Sequence, residues 1–215
     1  MKKVLAGIAV LAIAAVAQAA LLNTWEFSSG DTSDTGTYKN TQAANIDKVT
    51  FGQLTRDDGM GKSGSGAFFS ANGWTAERSY GFTVNVAADY EIAGATLAAA
   101  GINGTTAAPK ELQWKLNGQD VGDAWTLSTA SGQSTADAVS LGTLKGDNEV
   151  KLTYSGAGMV NGATGAAGST ANTRLYSPLT LSGDIKESTA VPEPATMSLL
   201  GLGALAVALR RKLRK

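Results

Sequence analysis

Three pairs of acids stand close together in the chain: Asp31 with Asp34, Asp57 with Asp58, and Asp120 with Asp123. Two carboxylates held about 5–10 Å apart across a cleft can cleave a glycosidic bond. Grouped oxygens can instead hold a calcium ion, but none of these pairs has the D-x-[DN]-x-[DN]-G spacing of a calcium loop. Solvated loop acids are the plain alternative, and no metal site is expected. Gly61-Lys62-Ser63 has the ending of a phosphate-binding loop, yet Arg56 occupies the position where that motif needs its first glycine. A glycine-rich turn is the simpler account. Aromatic faces can stack on sugar rings. Trp74, which follows the turn pair Asn72-Gly73, is the first candidate, and Tyr38, in the polar stretch Gly36-Thr37-Tyr38-Lys39, is the second. For both, a structural role competes with the binding role.

The chain has no His and no Cys. A Ser-His-Asp triad, a histidine general base, an imidazole or thiolate zinc site and a disulfide are all excluded. No cofactor is expected, and a non-enzymatic role is the leading expectation. A glycan hydrolase that relies on acids alone is the least favoured.

Overall charge balances at 18 basic and 18 acidic residues, but the distribution is uneven. Between Ala20 and Val191 stand eleven basic and seventeen acidic residues, so that segment carries 11 − 17 = −6. A surface of this sign disfavours nucleic acid and anionic lipid as partners and leaves neutral glycans open.

The missing cations lie at the two ends. Residues 1–19 read as a signal peptide: Lys2 and Lys3, an apolar run from Val4 to Val16, then Ala17-Gln18-Ala19, whose Ala17 and Ala19 form a small-x-small cleavage site. The secretion translocon and signal peptidase are the partners this implies, with Ala20 as the mature N-terminus. Residues 186–190 form a short polar linker. Residues 191–215 follow with three parts in order: Val191-Pro192-Glu193-Pro194, an apolar run from Ala195 to Leu209, and a basic cluster of Arg210, Arg211, Lys212, Arg214 and Lys215. As a helix the 15-residue run would span about 22 Å, short of the ~30 Å hydrocarbon core. It makes a brief transmembrane anchor, and the cluster holds its end on the cytoplasmic side. Pro194 suits a first helical position and Glu193 the positive end of the helix dipole.

Pro192, Glu193 and Pro194, the apolar run and the basic cluster resemble the PEP-CTERM sorting signal of Gram-negative bacteria. That resemblance implies an exosortase, a membrane protease or transpeptidase, as partner. It also implies a transiently anchored precursor and a mature form at the cell surface or in an exopolysaccharide matrix.

Residues 20–185 must then form the exported body. Asn72-Gly73, Asn103-Gly104, Asn117-Gly118 and Asn161-Gly162 are turn signals. Between them apolar residues alternate with period two: Leu21, Trp25 and Phe27; Tyr80, Phe82, Val84 and Val86; Leu112, Trp114 and Leu116; Trp125 and Leu127; Val150, Leu152 and Tyr154; Leu179, Leu181 and Ile185. Tyr90 with Ile92 and Phe68 with Phe69 mark further strands, while Gly156 to Asn172 reads as a loop. Eight to ten short strands, each with one wet face, predict an all-β antiparallel sandwich. The series Tyr90-Glu91-Ile92, Leu112 to Gly118, Trp125-Thr126-Leu127, Leu144 to Leu152 and Leu179-Thr180-Leu181 resembles jelly-roll domains of the galactose-binding-like and carbohydrate-binding type. There an early strand pairs with the last, and a lectin-like function is the alternative to a structural one.

Overall fold

The structure is a computed structural model, and it describes residues 19–27, 36–58, 60, 68–74, 78–104, 108–127, 137–154 and 173–188. Among them are thirteen strands: β1 (Ala20–Glu26), β2 (Gly36–Lys39), β3 (Val49–Phe51), β4 (Thr55–Arg56), β5 (Phe68–Ala71), β6 (Ser79–Val86), β7 (Tyr90–Gly104), β8 (Glu111–Leu116), β9 (Gln119–Asp120), β10 (Trp125–Thr126), β11 (Val139–Leu144), β12 (Asp147–Tyr154) and β13 (Thr173–Glu187). A single 3₁₀ turn, Ile46–Lys48, is the helical structure among these residues. No helix there is long and apolar enough to cross a membrane. The predicted signal and tail helices, and the loop from Gly156 to Asn172, lie outside the described residues.

Every pairing is antiparallel. One sheet has the order β11-β7-β13-β1-β2, with β5 beside β13, and the other has the order β10-β8-β12-β6-β3, with β4 beside β6 and β9 beside β8. In the first sheet β13 runs along the whole of β7, from Thr173 opposite Gly104 to Glu187 opposite Tyr90. Its other side takes β5 and then β1, at Thr173–Tyr176 and Leu179–Gly183. An early strand thus pairs with the last described one. The ladder shifts register between Tyr176 and Leu179, where Pro178 has no N–H to donate.

The period-two stripes face inward as expected. Tyr80, Phe82, Val84, Val86, Leu112, Trp114, Val150, Leu152, Leu179, Leu181 and Ile185 are all buried in one core to which both sheets contribute. Burying them is the main favourable term in folding. Rings bridge the sheets: Trp25 of β1 lies 4.1 Å from Phe82 of β6, and Phe69 of β5 lies 5.3 Å from Tyr80. Phe82 continues to Trp114 at 6.4 Å and Trp114 to Trp125 at 5.4 Å, most of these contacts being edge-to-face, the geometry ring quadrupoles favour. Trp25 Nε1 donates to the Gly52 carbonyl at 3.0 Å, so its polar atom is satisfied inside the core.

Three details differ from the sequence reading. Leu21 does not share the inward face of Trp25 and Phe27. A bulge between Leu21 and Asn23 shifts the phase, leaving Leu21 43% exposed and turning Leu22 into the core. Asn103-Gly104 is the end of the 15-residue strand β7 and not a turn, because pairing with Thr173 and Arg174 holds it extended. Lys186 and Glu187 belong to β13 and not to a linker. By contrast, Asn117 and Gly118 both have positive φ (50° and 82°) between β8 and β9, as an Asn-Gly hairpin turn requires.

Both ends of the described chain leave from one pole. Ala20 opens β1 opposite Gly183, four residues before β13 finishes.

Truncation of the bridging ring tests this core. Trp25→Ala is expected to lower unfolding stability by about 3–5 kcal/mol. Tyr38→Ala, on a side chain 59% exposed, should change it by no more than about 0.5 kcal/mol. Urea unfolding followed by far-ultraviolet circular dichroism measures both.

Candidate functional site

Trp74 is 0% exposed. Its Nε1 donates at 3.2 Å to the Ala71 carbonyl and at 3.2 Å to Thr173 Oγ1, and its ring meets Tyr80 edge-on at 5.3 Å. An indole with its N–H paired loses nothing by burial and presents no face to a sugar. The stacking role proposed for Trp74 is therefore corrected to a core role. Tyr38 is exposed on the edge strand β2, paired through its backbone with Thr24 of β1. The two candidate aromatics are not brought together into one site.

The acids are also dispersed. Asp57 Oδ2 accepts from Ser79 N at 2.8 Å and from Ser79 Oγ at 2.7 Å, tying β4 to the start of β6. Asp120 pairs with Lys115 at 2.7 Å. Asp31 and Asp34 lie outside the described residues. Among the described residues no group of three or more carboxylates is placed to hold a metal ion.

A groove that the sequence did not announce lies over the outer face of the second sheet. It has a volume of about 330 Å³ and is lined by Gly52, Gln53, Thr55, Asp57, Gly81, Thr83, Glu149 and Lys151, with Phe82 beneath. Its geometry follows from strand alternation. On β6 the even-numbered residues Tyr80, Phe82 and Val84 point into the core, which turns Gly81 and Thr83 outward. Opposite them on β12 stand Lys151 and Glu149. The other wall is the chain between β3 and β4, held by the Gly52 N–H to the Thr83 carbonyl at 2.9 Å and by Thr55 opposite Gly81. Gly81 has a sharp requirement: a Cβ there would fall 2.3 Å from the Val150 carbonyl oxygen and 2.9 Å from Lys151 Cγ. Only glycine allows so close an approach in a strand interior.

Lys151 and Glu149 form an ion pair at 2.9 Å. The hydrogen bond that Lys151 donates to Glu149 raises its ammonium above the ordinary range; partial burial opposes this, and the charges of Glu149 and Asp57 add to it. The ammonium is therefore held in its charged form beside the Glu149 carboxylate. The groove offers amide, hydroxyl, ammonium and carboxylate groups in a row, which suits hydrogen bonding to a polyhydroxylated ligand. It lacks an exposed ring to stack on one. No signal in the linear sequence marked it, because its lining comes from β3, β4, β6 and β12.

At the pole where β13 ends, Glu91 accepts ion pairs from Lys145 at 2.8 Å and Lys186 at 3.3 Å. The bond from Lys145 is the main reason its carboxyl sits below the usual carboxylate range; burial opposes the shift and the bond from Lys186 adds to it. Of the predicted processing residues, Ala19 is described and exposed just before β1. Ala17, Pro192, Glu193, Pro194, Arg210, Arg211, Lys212, Arg214 and Lys215 lie outside the described residues.

Gly81→Ala is expected to destabilise the domain by about 1–3 kcal/mol through overpacking against β12, with the strand pairing otherwise kept. A lowered urea midpoint with unchanged slope would bear this out, and an unchanged midpoint would refute the close approach.

A family model of the PEP-CTERM protein-sorting motif matches residues 190–212. No curated protein is similar enough to the chain to match it. The matched segment starts two residues after Ser188, the last described residue beyond β13. The chain therefore carries a PEP-CTERM sorting tail, which implies an exported protein processed by an exosortase, a membrane enzyme, after transient anchoring.

Proposed function

We propose that residues 20–188 are the exported body of a cell-envelope or extracellular-matrix protein of a Gram-negative bacterium. In this reading the body is a jelly-roll-like β-sandwich that acts by building structure or by binding, without catalysis. The carrying observation is the sorting motif at 190–212, which begins three residues after the last described strand. Its support from the fold is polarity. Ala20, the expected signal-peptidase product, and Glu187, which leads to the tail, stand at the same pole. A precursor held by either end would present that pole to the membrane and the rest of the body outward. The absence of His and Cys from the sequence and the structural pairing of Asp57, Asp120 and Glu149 support a non-catalytic role.

Intact-mass measurement of the mature protein from its native cell tests this reading. The expected product begins at Ala20 and lacks the basic cluster, and replacing Arg210, Arg211 and Lys212 by Ser should impair retention or orientation of the precursor. A mature protein that keeps both ends would refute it.

A second reading, recognition of a neutral glycan, is favoured by the polar groove over β6 and β12. It replaces Trp74 with Gln53, Thr83 and Lys151 as the contacting groups. Titration calorimetry against a panel of neutral polysaccharides should then detect binding whose affinity falls by about tenfold in Lys151→Ala, the effect of losing one charge-assisted hydrogen bond, and by severalfold in Gln53→Ala, which loses a neutral one. Affinity that survives both changes would place binding elsewhere.

A further inference from the structure

The chain is fastened past the end of its last strand. Glu187 still pairs with Tyr90, and Lys186 lies opposite Glu91. The Ser188 N–H donates to the Asp89 carbonyl at 2.8 Å. Lys145 Nζ donates to Ser188 Oγ at 3.0 Å and ion-pairs with Glu91 at 2.8 Å, and Glu91 also holds Lys186 at 3.3 Å. Glu91 keeps only 13% of its side-chain exposure, so this carboxylate is the hub of the fastening. One turn inward, Asn45 Nδ2 donates to the Ile185 carbonyl at 3.1 Å, and the Ile185 side chain is buried in the core.

This clasp limits how far the sorting motif can stand from the body. From Ser188 to Pro192 is four residues, which at full extension reach about 14 Å. Five strands at about 4.8 Å spacing make the pole roughly 20 Å across in one direction, and the second sheet adds about 10 Å in the other. The body is thus wider than the tether is long. An enzyme embedded in the membrane that acts on Pro192-Glu193-Pro194 therefore works within about 14 Å of the body. Freeing Lys186, Glu187 and Ser188 would lengthen the tether by about 10 Å, and fraying would stop there because Ile185 is held in the core.

We infer that the Glu91–Lys145–Lys186–Ser188 clasp restrains the tail and sets the rate at which the processing enzyme removes it. This rests on the sorting reading above and assigns to the folded body a regulatory part in it. Opening the clasp exposes the motif, and closing it protects the anchored precursor.

Pulse-chase labelling of the full-length precursor in its native cell tests the inference. Glu91→Gln removes the charge at the hub. A six-residue Gly/Ser insertion between Thr189 and Ala190 lengthens the tether beyond Ser188 and leaves the clasp residues unchanged. Both should shorten the precursor half-life severalfold. A double change, Pro192→Ala with Pro194→Ala, should leave the precursor unprocessed. If the motif variant is blocked while the insertion variant keeps the parent half-life, the clasp has no control over processing and the inference is overturned, with the sorting reading intact. If the motif variant is processed normally, the sorting reading fails and takes the inference with it. The insertion variant keeps the test decisive even if Glu91→Gln misfolds.

Discussion

The first sheet is closed by the last of the described strands. β13 lies between β7 on one side and β5 and β1 on the other, so no other described strand can join those elements. β1 begins some 160 residues earlier in the chain, and the cost of closing so long a loop is incurred before the pairing rewards it. The core inherits this dependence. Trp25 reaches Phe82 only because β1 is fixed against β13, and the indole N–H of Trp25 then ties the loop at Gly52 to the same assembly. For an exported chain this means that the sheet completes when the segment preceding the tail has crossed the membrane.

The same strand connects body and tail. The inner residues of β13 are buried and anchored, and its last residues are held by backbone pairing and by the Glu91 hub. Surface ion pairs in isolation contribute little to stability. Their importance here is positional: two lysines converge on one mostly enclosed carboxylate and fix where the chain leaves the fold. The PEP-CTERM motif begins two residues beyond Ser188.

Polar groups on the outer surface follow from the packing of the inner one. Because Tyr80, Phe82 and Val84 fill the core, Gly81 and Thr83 have to face out, and β12 sets Lys151 and Glu149 beside them. The groove is a by-product of strand alternation combined with a chain crossing at Gly52 to Thr55. Trp74 shows the converse. Its neighbours in sequence are those of a turn, but Thr173, 99 residues away, supplies a partner for its indole N–H and a place in the core.

Much of the fold could be read from the residues alone. Period-two apolar stripes specify strands and their inner faces, since alternate side chains point to opposite sides of a sheet. Asn117-Gly118 specifies a tight turn, since few other pairs accept two positive φ angles. Phase could not be read past a bulge, which is why Leu22 and not Leu21 enters the core, and Asn103-Gly104 was held extended by a partner strand remote in sequence. The sorting tail is local: Pro192, Glu193 and Pro194, an apolar run and a cationic end work through composition and order, so the sequence by itself determined the sorting motif and the export it implies, together with the excluded histidine and cysteine chemistries. Only the tertiary structure decided which aromatics are available to a ligand, which strands line the groove and how the end of β13 is held as far as Ser188. Those properties depend on hydrogen bonds and contacts between residues tens to more than a hundred positions apart, and no local pattern encodes which distant segment will come to lie beside a given one.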